Sequence, residues 1–213
     1  YAIIATKPGG TEVLHKVDID LPVPSATDVL MRQTAVGVNF IDVYFRTGLY
    51  PWPAEKDLIL GSEGAGIVEA VGPQVSGFSI GDRVAYTVPY GVYETHRLVP
   101  SYSLVLLPDH IEDTQAAALM LKGLTACYLL HDSYRVKAGD VVLFHAAAGG
   151  VGSLAGQWLH AKGVRAIGTA GGAAKCERAM ANGFEAVIDY RSDDFVERVL
   201  KLTKGQGVDA VYD

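Results

Sequence analysis

One octapeptide limits what this chain can fold into more than any other feature. His145-Ala146-Ala147-Ala148-Gly149-Gly150-Val151-Gly152 follows the apolar, β-branched run that starts at Val141 and leads straight into a helical pattern. In that pattern Val151, Leu154, Ala155, Trp158 and Leu159 recur at i, i+3, i+4, i+7 and i+8, which is one face of an α-helix. Strand, glycine loop and helix in this order make a glycine pattern informative, because the loop then presents unpaired helix N–H groups to an anion. Counted against G-x-G-x-x-G, the key positions are Ala147, Gly149 and Gly152. Ala147 keeps the first turn small, Gly149 lets the backbone approach a pyrophosphate, and Gly152 lets the helix pack closely on the strand. Gly150 and Val151 open the helix. The spacing therefore predicts a dinucleotide site, against the plainer alternative of a glycine-rich turn without a ligand.

The surrounding sequence repeats the same plan. Val164–Gly168 reads as a second strand followed by a helix over Ala173–Ala181. Ala186–Ile188 is a third strand, before a helix capped by Ser192 with Phe195, Val196, Val199 and Leu200 on one face. Val208–Tyr212 begins a fourth strand. Alternating strands and helices imply a parallel sheet with right-handed crossovers, the doubly wound α/β class. A helix from Thr114, its N-cap, to His131 precedes this half. From Tyr1 to about Pro108 the chain instead shows short strands between turn residues, best at Val13–Ile19, Val29–Val36, Gly66–Val71, Arg83–Val88 and Tyr93–Val99. This half is expected to form a closed or strongly curved β-sheet. The domain division is set at 1–113 and 114–213.

Val141–Leu159 contains no Asp, Glu, Lys or Arg and is long enough to imitate a membrane span, but Gly149, Gly150, Gly152 and Gly156 break it into a strand and a helix. No membrane role is expected. Eighteen basic against 24 acidic residues give a net charge of −6, which supplies no field to hold a nucleic acid. Two isolated cysteines, Cys127 and Cys176, form neither a disulfide framework nor a cysteine-rich zinc site, and fit a reducing cytoplasm. Of six histidines, no two have metal-ligand spacing.

The end of the second strand distinguishes between cofactors. An NAD site needs an acid there for the adenosine ribose. Ala166-Ile167-Gly168-Thr169-Ala170-Gly171-Gly172-Ala173-Ala174 carries none, and the first charge is Lys175. With Tyr190-Arg191 at the end of the third strand, Thr169, Gly171, Lys175 and Tyr190 are expected around a 2′-phosphate. The expected cofactor is NADPH.

Three segments together resemble a known family: the Ala-Ala-Gly-Gly-Val-Gly loop continuing to Gln157, Leu121-Lys122-Gly123-Leu124-Thr125, and Gly37-Val38-Asn39-Phe40-Ile41-Asp42-Val43-Tyr44 with Gly48-Leu49-Tyr50-Pro51. They are similar to the zinc-independent NADPH:quinone oxidoreductases, the ζ-crystallin-like branch of the medium-chain dehydrogenase/reductase superfamily. His160 departs from the basic or Ser residue usual three positions after the Gln. The resemblance implies an N-terminal GroES-like β domain and a Rossmann domain whose second half lies outside this chain. It also implies a homodimer of the complete protein. Superfamily alcohol dehydrogenases bind zinc through a Cys and a His where this chain has Asn39 and Ser62, both poor zinc ligands, so no metal is expected.

By the same resemblance, Asn39, Tyr44 and Thr125 line the nicotinamide end, and Asn39 and Tyr44 take part in reduction of a quinone. Packing is the plainer role for Tyr44 and Tyr50 in a chain with 11 tyrosines. A 2-enoyl thioester or alkenal reductase is the alternative. It needs a placed acid for the carbon next to the carbonyl, and Tyr50 resembles that acid. A further alternative is a non-catalytic NADPH-binding protein.

Overall fold

The structure, a computed structural model, describes residues 1–52 and 57–213. The chain forms two compact units, Tyr1–Leu121 and Lys122–Asp213.

The first unit contains β1 (Ala2–Ala5), β2 (Leu14–Val17), β3 (Asp28–Val36), α1 (Phe40–Thr47), β4 (Leu58–Ile59), β5 (Glu63–Val71), β6 (Arg83–Thr87), β7 (His96–Pro100) and β8 (Leu104–Leu106). The helix α2 (Asp113–Tyr128) starts in this unit and runs across the division. Five antiparallel strands in the order β7-β3-β5-β6-β8 make one sheet, and β2-β1-β4 make another. The register of β3 on β5 slips between Leu30 and Met31 and again between Gln33 and Ala35. Such irregularities bend a sheet, so the expected curvature is present, divided over two sheets.

The segment before β7 joins those sheets. Ile3 N–H donates to the Tyr93 carbonyl at 2.7 Å, Tyr93 N–H to Leu60 at 2.8 Å, and Gln33 N–H to Thr95 at 2.9 Å. Those bonds occupy Tyr93 and Thr95, which is why the strand expected from Tyr93 starts at His96. Val29, Met31, Val68, Val84, Tyr86, Val92 and Val99 form a buried core on one sheet. Each such side chain contributes about 1.5–3 kcal/mol of burial free energy.

The second unit holds β9 (Val141–Phe144), α3 (Gly150–Ala161), β10 (Arg165–Ala170), α4 (Ala173–Ala181), β11 (Ala186–Asp189), α5 (Phe195–Leu202) and β12 (Ala210–Tyr212). All pairings are parallel, in the order β11-β10-β9-β12. Successive side chains of β9 point to opposite faces: Val142 and Phe144 join a core with Ala155, Leu159 and Phe184, while Leu143 joins Ile167, Ile188 and Val199. Both faces are covered, as parallel strands require. Strand order reverses between β9 and β12, and at such a switch point the diverging connections leave a crevice beyond the carboxyl ends of the strands.

Two helix starts differ from expectation. α2 begins at Asp113, so Thr114 lies in its first turn, and beyond Tyr128 the helix widens into a π turn over Leu129–Ser133. α5 is capped by Asp194, whose carboxylate accepts from the N–H groups of Val196 and Glu197. Ser192, the expected cap, instead donates its hydroxyl to the Asp189 carbonyl. A carboxylate also suits the positive end of the helix better than a hydroxyl. Among the described residues no helix is long and apolar enough to cross a membrane.

Candidate functional site

The glycine loop leaves β9 and enters α3 through a tight turn. Ala146 takes the left-handed conformation, φ 50°, uncommon for a residue with a side chain. Ala147 N–H donates to the Thr169 carbonyl at 2.9 Å and Gly149 N–H to Ala146 at 2.7 Å, which fixes the turn. A Cβ on Gly152 would lie 2.6 Å from the carbonyl oxygens of both Ala146 and Ala147, so close helix–strand packing requires glycine there. Gly149 is different: its Cβ position has one neighbour at 3.0 Å and nothing else before 3.9 Å. Its outer side is open. No side chain caps the α3 N-terminus at Gly149, so the first-turn N–H groups are available to an anion.

A cleft of about 290 Å³ lies at the switch point, lined by Thr125, Phe144, His145, Gly149–Gly152 and Tyr212. The structure therefore brings Thr125, Gly149, Gly150, Val151 and Gly152 together. His145, read from sequence as an ordinary histidine, also faces this cleft, with Nδ1 2.9 Å from Thr169 Oγ1 and its ring edge-on to Phe195. Thr169 is buried and holds the loop from beneath through both its hydroxyl and its carbonyl. Its position immediately after β9 could have drawn attention to His145, since residues at strand carboxyl ends face the crevice. Ala147 is buried under the loop.

At the ends of β10 and β11, Tyr190 and Arg191 crowd the two glycines. The Cβ position of Gly171 is 2.7 Å from Tyr190 Cζ and 3.1 Å from Arg191 Nε, and that of Gly172 is 3.4 Å from Arg191 Nη1. Tyr190 is half exposed, and Lys175 stands exposed on the first turn of α4. An acid is nearby after all: Asp189 Oδ1 accepts from Gly172 N–H at 2.9 Å and Arg191 N–H at 3.1 Å. Those bonds, Gly172 first, hold its carboxyl below the usual range. The carboxylate thus braces the two loops. Because it comes from the third strand, a reading confined to the second strand misses it.

In the first unit, Asn39 precedes α1 and its N–H donates to Asp42 Oδ2 at 2.7 Å, closing the first turn. Asp42 is buried and also accepts from Ser62 Oγ at 3.0 Å and Tyr93 OH at 2.9 Å. Burial, then the adjoining carboxylate, pushes the Tyr93 hydroxyl upward. The Asn39 side chain answers the Asp42 contact by accepting from the Asp42 backbone, which completes a capping box, and its Nδ2 donates to Glu63 Oε1 at 2.8 Å. Asn39 and Ser62 are therefore both tied into carboxylates. Among the described residues no three His, Cys, Asp or Glu side chains are grouped to hold a metal ion.

Gly48, left-handed at φ 76°, ends α1 and folds the following chain back, so that Tyr50 N–H donates to the Tyr44 carbonyl. The rings of Tyr44 and Tyr50 lie 5.3 Å apart, with Phe45 edge-on to Tyr50 at 5.6 Å and Phe40 6.2 Å from Tyr44. Phe40 and Tyr50 are exposed. The cluster offers aromatic edges and hydroxyls of the kind that pack on a planar ring.

Residues 25–109 match the alcohol dehydrogenase GroES-like domain family, and residues 150–213 match the zinc-binding dehydrogenase family. The quinone oxidoreductase of Pseudomonas aeruginosa is 49% identical over 96% of this chain, and the 2-haloacrylate reductase of a Burkholderia species is 41% identical over 100% of it. The crystal structure of Escherichia coli quinone oxidoreductase complexed with NADPH superposes with a TM-score of 0.96 at 44% identity, covering 100% of this chain. The chain spans 63–65% of the length of these relatives. Matches to both halves at this identity agree with the motifs around Asn39, Thr125 and Gly149: the chain belongs to the quinone oxidoreductase branch of the medium-chain dehydrogenase/reductase superfamily.

Proposed function

We propose that the protein containing this chain is an NADPH-dependent oxidoreductase that reduces quinones without a metal. The observation that carries the reading is the cleft at the switch point, where Gly149 is open, the α3 N-terminus is uncapped and Thr125 faces the same space. A dinucleotide fits these features: the pyrophosphate needs a close backbone approach and unpaired N–H donors. The preference for NADPH is supported by Tyr190, Arg191 and Lys175 around Gly171 and Gly172, and by an Asp189 carboxylate engaged with backbone N–H groups. The Escherichia coli relative was crystallised with NADPH.

When bound, the nicotinamide supplies the reducing electrons. The chain's own residues bind and orient. Val151 and Gly152 receive the pyrophosphate end, Thr125 and Asn39 orient the nicotinamide end, and the Tyr44 hydroxyl hydrogen-bonds cofactor or acceptor. Quinone carbonyls accept electrons readily, so positioning and exclusion of water are sufficient contributions from the protein. We place the enzyme in the cytoplasm as a homodimer, the first from its two unpaired cysteines and the second from the family resemblance alone.

A second reading, reduction of an activated carbon–carbon double bond, is favoured by the similarity to the 2-haloacrylate reductase and by the Tyr50 hydroxyl at the rim of the aromatic cluster. NADPH oxidation by the complete protein, with benzoquinone and a short enoyl thioester compared in the presence of a chelator, tests both. Quinone preference undiminished by chelator upholds the first reading, and thioester preference replaces it with the second.

A further inference from the structure

His145 follows β9 directly, and alternation along the strand sends its side chain to the face opposite Phe144. There its ring stands edge-on to Phe195, the first residue of α5, at 5.2 Å. Its Nδ1 lies 2.9 Å from the hydroxyl oxygen of Thr169 on the neighbouring strand β10. Every residue lining the cleft, His145 included, belongs to the second unit.

Burial decides which of the two groups carries the shared proton. Thr169 is 2% exposed, and among the described residues its hydroxyl has no other partner. Were the imidazole the donor, the hydroxyl proton would be left buried and unpaired, which is the costlier arrangement. The hydroxyl therefore donates to Nδ1, and the neutral ring carries its own hydrogen on Nε2. Among the described residues Nε2 has no hydrogen-bond partner, and it is not sealed in the interior, since the buried side-chain polar atom left unpaired is Arg97 Nε. Asp213 shares the cleft lining without being bonded to it. Nε2–H is thus an unused donor on a residue that lines the cleft.

A dinucleotide held by the glycine loop runs from the α3 N-terminus toward Gly171, Lys175 and Tyr190, so its adenosine half passes over the ends of β9 and β10. We infer that His145 is a binding residue for that half of the cofactor, its Nε2–H donating to a lone-pair acceptor of the adenosine. Thr169 is the positioning residue, because its hydroxyl holds the ring and fixes which nitrogen bears the hydrogen. This rests on the proposed NADPH reading and adds a side-chain donor to the backbone N–H groups of the loop.

Asparagine and glutamine separate the two ring nitrogens in the complete protein, since the amide of the first overlies Nδ1 and that of the second overlies Nε2. His145→Asn keeps an acceptor for the Thr169 hydroxyl and loses the outer donor. His145→Gln does the reverse. The Kd values for NADPH and for adenosine 2′,5′-bisphosphate, read by calorimetry, are expected to rise about tenfold in His145→Asn, about the effect of one lost hydrogen bond, while its melting temperature stays near the parent's. His145→Gln should bind both within about threefold of the parent and melt lower.

If His145→Asn binds both ligands as the parent does, or loses NADPH but not the bisphosphate, His145 makes no contact with the adenosine half and the inference is overturned. It is overturned equally if affinity follows melting, with His145→Gln the weaker binder, because the histidine then only braces the strands. Should His145→Asn melt far below the parent, His145→Gln decides, and a tenfold loss there counts against the inference. A parent that binds NADPH but not the bisphosphate also counts against it, whereas a parent that binds neither removes the NADPH reading and the inference with it.

Discussion

Lys122 lies across Gly150. A Cβ on residue 150 would sit 2.6 Å from Lys122 Cδ and 2.9 Å from Cε, so the second glycine of the loop makes room for a lysine stem at the entrance of α3. The neighbouring Gly152 faces backbone instead. A side chain can move aside more cheaply than a carbonyl.

The two glycines should therefore respond differently to alanine. Gly152→Ala is expected to destabilise the second unit by about 1–3 kcal/mol, the usual cost of overpacking, and to weaken NADPH binding at least tenfold by displacing the loop. Gly150→Ala shifts Lys122 and should cost under about 1 kcal/mol. Denaturant melts with and without NADPH compare the two. Equal losses would contradict the assignment of Gly152 to helix–strand packing.

Charge at the ends of β10 and β11 should govern the choice between NADPH and NADH. Lys175→Ala is expected to raise the Kd for NADPH about tenfold while leaving NADH within about twofold, since only the 2′-phosphate needs a cation there. Tyr190→Ala opens the space beside Gly171 and should act in the same direction. Parallel loss for both cofactors would mean that these side chains do not contact the phosphate.

Tyr50 separates the two chemistries. Tyr50→Phe should leave kcat for benzoquinone within about threefold, because the ring contacts to Tyr44 and Phe45 persist. If an enoyl thioester is also a substrate, the same change should lower its kcat about a hundredfold, the scale of a lost general acid. Unchanged thioester turnover would remove Tyr50 as the acid.

Acid should loosen the start of α2. Burial opposes ionisation of Asp113, but hydrogen bonds from Thr34 at 2.6 Å and from Arg83 at 2.6 Å outweigh it, and the carboxyl is held below the ordinary 3.8. The unfolded chain then takes up the proton first as pH falls. The stabilisation is full above the ordinary value and is lost as pH drops through the lower folded one. Asp113→Asn should lower the melting temperature at pH 7, with the difference from the parent shrinking below about pH 4. A difference independent of pH would show that ionisation of Asp113 adds nothing.

Local periodicity and short motifs made much of this protein legible in one dimension. The helix Ala173–Ala181 and the strands near Val141, Val164 and Ala186 could be read directly, because side-chain alternation and the helical period are properties of neighbouring residues. The glycine loop was legible for the same reason, since its function needs glycine at fixed spacings. Element boundaries were less so: Tyr93 and Thr95 are strand-like residues diverted to join two sheets, and Asp194 displaced Ser192 as a cap because a carboxylate two residues on was available.

What only the tertiary structure decided are the carboxylates that brace the site. Glu63 reaches Asn39 across 24 positions and Leu121 across 58, and Asp189 reaches Gly172 across 17. No local pattern encodes such pairs. A buried acid is tolerated only where folding has brought donors to it, and the donors here include the Asn39 amide and backbone N–H groups, which every sequence carries and none advertises.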